Sequence, residues 1–111
     1  MNDEVKKFLT DIIESINSIG QYLDNCNDFT QYESNKMLKR AVERELEITG
    51  EAISRIKKTN PSIIITSSRK IIDLRNKVIH AYDAVDDAII WGIIVRHLPV
   101  LKTEVENLLK S

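Results

Sequence analysis

The stretch Val5–Leu23, VKKFLTDIIESINSIGQYL, decides the fold class. Its apolar residues Val5, Phe8, Leu9, Ile12, Ile13, Ile16, Ile19 and Leu23 recur at intervals of three and four, the spacing that lines one face of an α-helix. The same phase returns further on. Leu38, Ala41, Val42, Glu45, Ile48, Thr49, Ala52, Ile53 and Ile56 keep it, with Arg and Glu between them. Asn25, Asn27 and Asp28 break the chain before this second helix, and Asn60-Pro61-Ser62 ends it, because proline cannot continue the hydrogen-bond ladder. Gly50 lies inside it, where a missing side chain lets a neighbouring helix come close.

Ile63-Ile64-Ile65 is β-branched, yet no second strand exists to pair with it, so it reads as an apolar connector pinned to the core. Thr66, Ser67 and Ser68 offer N-cap oxygens for a third helix from about residue 69 to 81. Asp83, Asp86 and Asp87 place acids at the start of a fourth, where the helix dipole favours them. Ile90, Ile94, Leu98, Leu101, Val105 and Leu108 share one face of that helix, and Pro99 inside it predicts a kink near Val95. The expectation is an all-α, four-to-five-helix up-and-down bundle that forms one domain over residues 1–111.

Ala88–Val95 (AIIWGIIV) is apolar on every side, so this helix should be covered twice, by its own core and by a second copy in a homodimer. A chain of 111 residues has a modest core, which such a dimer would extend. The same run is the longest uncharged apolar one, far short of the roughly 20 residues that span a bilayer. The start, MNDEVKKFLT, lacks the pattern of a signal peptide. The single cysteine, Cys26, allows neither an internal disulfide nor a cysteine-based zinc site. These features predict a cytoplasmic protein with no membrane association.

The net charge of −1 is unevenly spread. Residues 36–80 carry eleven bases against five acids, whereas residues 1–35 carry two bases against seven acids. A basic middle can face phosphates, or it can be the solvated side of amphipathic helices.

The segment Asp73–Asp83, DLRNKVIHAYD, concentrates polar groups on a short helix. Asn76 and His80 are four apart and share a face, so the amide can orient the imidazole. Arg75 and His80 are five apart, about 140° around an ideal helix. At a two-fold axis, two Arg and two His would meet in one cleft. A histidine near neutral pKa can exchange protons with the ribose 2′-hydroxyl and the leaving 5′-oxygen, and an arginine fork matches a phosphorane-like transition state. Each residue also has a plain structural reading. His80 can be a helix-end residue held by the dipole, Arg75 an ion pair with Asp73 or Glu51, and Tyr82 a packing residue. His97 reads as structural and Trp91 as core or interface.

At these residues the chain resembles a known family. Arg75-Asn76-Lys77-Val78-Ile79-His80 is similar to the HEPN signature, and His80-Ala81-Tyr82 to its HepT version. FLTDII (8–13), AVERELEITGEA (41–52), Trp91 and LPVL (98–101) lie where that subfamily has similar words. The resemblance implies a helical-bundle homodimer acting as a metal-independent endoribonuclease, the toxin of a type VII-like toxin–antitoxin pair, without a cofactor. Arg75 and His80 would be catalytic and Asn76 assisting. The implied partner is a minimal nucleotidyltransferase antitoxin that transfers AMP to Tyr82, where added phosphate charge would repel RNA. Asp73 departs from the small residue usual before the arginine and could pair with Arg75. An alternative is a non-catalytic subunit that lends a nucleotide- or substrate-binding surface to such a transferase.

Overall fold

The computed structural model describes residues 2–80 and 86–110, with the side chains of residues 77–80 outside the description. Six helices make up the described chain: α1 (Asp3–Tyr22), α2 (Phe29–Glu33), α3 (Lys36–Thr59), α4 (Ser68–His80), α5 (Asp87–Arg96) and α6 (Leu98–Lys110). Among the described residues there is no strand. The long pair α1 and α3 forms the spine; α4 packs on α3, α6 on α1, and α2 bridges α3 and α5. Four helices open on a side-chain cap. Asn2, Asp28, Asn35 and Asp86 accept from the backbone N–H of Val5, Gln31, Leu38 and Ala88 at 2.8 to 3.0 Å.

The periodic residues read from the sequence form one contiguous core. Val5, Leu9, Ile12 and Ile19 of α1 meet Val42, Leu46, Ile53 and Ile56 of α3, Ile71 and Leu74 of α4, Ile90 of α5, and Leu98, Leu101 and Val105 of α6. Within the connector, Ile65 is buried and Ile63 packs on the core, while Ile64 is exposed.

Three local differences from the sequence reading have physical causes. Asn25–Asp28 is followed by a further short helix, α2, because Asp28 caps it and Tyr32 is fully buried. The fourth helix divides into α5 and α6 at His97, next to Pro99, which has no N–H to donate to Val95. The hydroxyls of Thr66 and Ser67 turn away from the start of α4. Thr66 donates from its N–H and Oγ1 to Glu104 Oε2 of α6, at 3.1 and 2.6 Å, and Ser67 Oγ lies 3.3 Å from His97 Nδ1. Long-range partners won over local capping, and they fasten α4 to the α5–α6 corner. Trp91 packs at 5.4 Å from Tyr32 and 6.3 Å from Phe29, centroid to centroid, joining α5 to α2.

Candidate functional site

α4 presents two different sides. On the first, Arg75 lies over Gly50 of α3: a Cβ built on that glycine would stand 2.6 Å from Arg75 Cβ. The missing side chain is therefore what seats the arginine stem between the helices. The guanidinium is held from α3, since Nη2 donates to Glu51 Oε2 at 2.6 Å. Nη1 donates to Asn76 Oδ1 at 3.3 Å. Nε is buried and meets no acceptor among the described residues. Glu51 also accepts from Arg55 Nε at 2.9 Å. That bond, followed by the charges of Arg75, Arg55 and Lys58, holds its carboxyl below the ordinary carboxylate range, against partial desolvation. Beside this network opens a cleft of about 240 Å³, lined among others by Phe8, Asp11, Arg44, Glu51, Arg55 and Arg75.

Of the two acids weighed as partners of Arg75, the structure chooses Glu51. Asp73 stands two residues before Arg75, about 200° around the helix, and lines a second cleft of about 410 Å³ between α4 and α5. Lys70, Leu74, Ala88, Ile89, Gly92, Ile93, Arg96 and His97 complete that cleft. Its corner is ordered: His97, tied to Ser67 through Nδ1, brings Nε2 to 3.5 Å from Lys70 Nζ. The sequence reading passed over Lys70 and treated His97 only as structural. No local pattern joins the two, because 27 residues separate them.

Arg75 and Asn76 are thus brought together, with the amide accepting from the arginine. The backbone of His80 closes α4, while its side chain lies outside the description and Tyr82 outside the described residues. Part of the basic middle is neutralised on the surface: Lys39 pairs with Asp87, Arg44 with Glu47 and Arg55 with Glu51. Among the described residues, no three His, Cys, Asp or Glu side chains gather as a metal site would require. Nor is any described helix long and apolar enough to cross a membrane.

A helical bundle that carries an arginine ahead of a histidine on one short helix is the arrangement the HepT resemblance implied; the glycine seat of the arginine is added by the structure. The chain belongs to the ribonuclease HepT-like family, whose model matches residues 12–108. It is 36% identical over 107 residues to an RNase candidate of Methanocaldococcus jannaschii, covering 93% of this chain and 94% of the relative. It is also 36% identical over 110 residues to the probable ribonuclease HepT of Thermococcus cleftensis, covering 95% and 96%. A second RNase candidate of M. jannaschii is 32% identical over 112 residues, covering 97% and 89%. No solved structure matches the chain.

Proposed function

We propose that this protein is a metal-independent endoribonuclease toxin that works as a homodimer. The observation that carries this reading is the seating of Arg75: its side chain is one-quarter exposed and its guanidinium anchored by Glu51, on the helix that ends in His80. In the proposed reaction His80 takes the proton of the ribose 2′-hydroxyl, whose oxygen attacks the adjacent phosphorus. The 5′-oxygen leaves with a proton from the second copy's histidine, and a 2′,3′-cyclic phosphate remains. Arg75 stabilises the charge on the non-bridging oxygens, and Asn76 fixes its fork from the side. Support for the dimer comes from α5 and α6, where Val95 and Val100 are about half exposed although α5 is apolar all round.

The partner in this reading is a minimal nucleotidyltransferase antitoxin that transfers AMP to Tyr82. Neither of the other two tyrosines adjoins a residue of the proposed chemistry. Tyr32 is fully buried, and burial pushes its hydroxyl pKa upward. Tyr22 donates to Glu45 Oε2 at 2.9 Å.

Expression of the chain alone should arrest growth, and purified protein should cleave single-stranded RNA in EDTA. His80→Ala and Arg75→Ala should each abolish both effects while keeping the helical circular-dichroism spectrum. Undiminished cleavage by His80→Ala would sink the ribonuclease assignment and favour a non-catalytic subunit of the transferase. Co-expression with the transferase should add AMP mass to the Tyr82 peptide, and Tyr82→Phe should cleave RNA yet escape neutralisation. AMP on another residue would remove Tyr82 from the scheme.

A further inference from the structure

The α4–α5 cleft contributes nothing to the chemistry just described, yet its lining is not that of an idle surface. Ala88, Ile89, Gly92 and Ile93 make an apolar floor along α5, and Lys70, Asp73, Arg96 and His97 make a polar rim. A volume of about 410 Å³ falls within the range of small-molecule sites. Gly92 keeps the floor flat: a Cβ added there meets nothing within 4 Å, so the space above it is open. At the α5–α6 corner, Lys70 Nζ and His97 Nε2 stand 3.5 Å apart. Lys70 Nζ can only donate, so in this contact His97 Nε2 accepts and the ring proton lies on Nδ1, facing Ser67 Oγ. The ammonium has further protons to offer, and with Arg96 in the same lining it favours an anion at this end of the cleft. Asp73 lies three residues from Lys70, about one turn along α4, close to the span from a nucleotide's phosphate to its ribose hydroxyls.

We propose that this cleft binds one ribonucleotide unit of the RNA strand on the side of α4 turned away from Arg75; the assignment of RNA as the ligand rests on the ribonuclease reading above. The phosphate is held by Lys70, which His97 steadies by accepting at Nε2, with Arg96 adding positive charge at the rim. Asp73 accepts from the ribose hydroxyls, the feature that separates RNA from DNA. The base lies flat on the Ile89–Gly92 floor, a contact that tolerates any base because each has an apolar face. Asp73, which departs from the small residue usual at its position, thereby acts on the ligand rather than on Arg75.

Calorimetric or NMR titration with adenosine 5′-monophosphate and its 2′-deoxy counterpart tests this without relying on cleavage. Saturable binding is expected, at least fivefold tighter for the ribonucleotide. Gly92→Leu should fill the floor and weaken binding at least tenfold, and Lys70→Ala should weaken it several-fold. Asp73→Asn should erase the preference for the ribo form. If the protein cleaves RNA but binds neither nucleotide, or if Lys70→Ala and Asp73→Asn bind like the parent, the cleft assignment fails and the ribonuclease reading stands. If nucleotide binding follows the pattern above while no RNA is cleaved, the ribonuclease reading fails, and with it the assignment of the cleft to an RNA strand. Light scattering provides the last outcome: Gly92→Leu turning a dimer into a monomer would show that a second copy fills the cleft, and would overturn the proposal.

Discussion

The two sides of α4 are built on opposite principles. Toward α3 the helix is sealed: Ile71 is buried, and Gly50 admits Arg75 at a distance no other residue type would allow. Toward α5 it stays open, and Gly92 faces empty space across a cleft with a charged rim. Both contacts involve a helix-interior glycine. On the closed side the missing side chain permits packing, and on the open side it preserves a void. Local sequence does not distinguish these uses; the surroundings do.

Four substitutions can break or sharpen that contrast. The largest expected effect on stability is Ile71→Ala, which leaves a cavity in the sealed face and should cost about 2–5 kcal/mol; urea denaturation measures it. A loss under about 1 kcal/mol would mean the α3–α4 seam is loosely packed. Gly50→Ala comes next. Alanine gains up to about 1 kcal/mol in helix propensity, but its Cβ would stand 2.6 Å from Arg75 Cβ. That neighbour is fixed to the α4 backbone and cannot swing aside. Overpacking of about 1–3 kcal/mol should therefore win, lowering the melting temperature and, with Arg75 displaced, RNA cleavage. A stabilised Gly50→Ala protein would refute the tight seat.

Glu51→Gln tests the ion pair that anchors Arg75. Both partners are partly exposed, so solvent screens the pair and the effect should stay below about 1 kcal/mol at neutral pH. The sign is set by the lowered pKa of Glu51 in the folded state. The charged form stabilises the fold fully above the unfolded carboxylate value of about 4.3, and this contribution is lost as pH falls through the lower folded value. Melting curves of parent and variant should converge toward pH 3; a difference constant from pH 7 to 3 would assign it to something other than charge. Gly92→Ala should have the smallest effect and the opposite sign to Gly50→Ala. With nothing within 4 Å to obstruct the methyl, it should raise stability by about 0.5–1 kcal/mol through helix propensity alone. A destabilised variant would show the open side to be closed.

Much of the bundle was legible in the chain because amphipathic helices advertise themselves. The spacing of Val5, Leu9, Ile12, Ile16 and Ile19 admits one buried face, and all five are buried. Gly50 and Pro99 also acted as their chemistry requires. α2 was hidden because five residues are too few to show a period, and its stability comes from Tyr32 among Trp91 and the core. The site was legible only along α4. Arg75, Asn76 and His80 are neighbours in sequence, so helical register alone relates them.

Across helices, sequence offered options and the fold chose. Asp73 and Glu51 were equivalent partners for Arg75 on charge alone; α3–α4 packing over Gly50 brings Glu51 to 2.6 Å and turns Asp73 to the other cleft. Ser67 looked like a helix cap, and the α5–α6 corner made it a tether for His97. The chain by itself determined the class, the helical faces and the line of polar residues on α4, since each follows from spacing of 3.6 residues per turn. Only the tertiary structure decided which cation meets which acid and where voids remain, because both depend on distances between segments far apart in sequence.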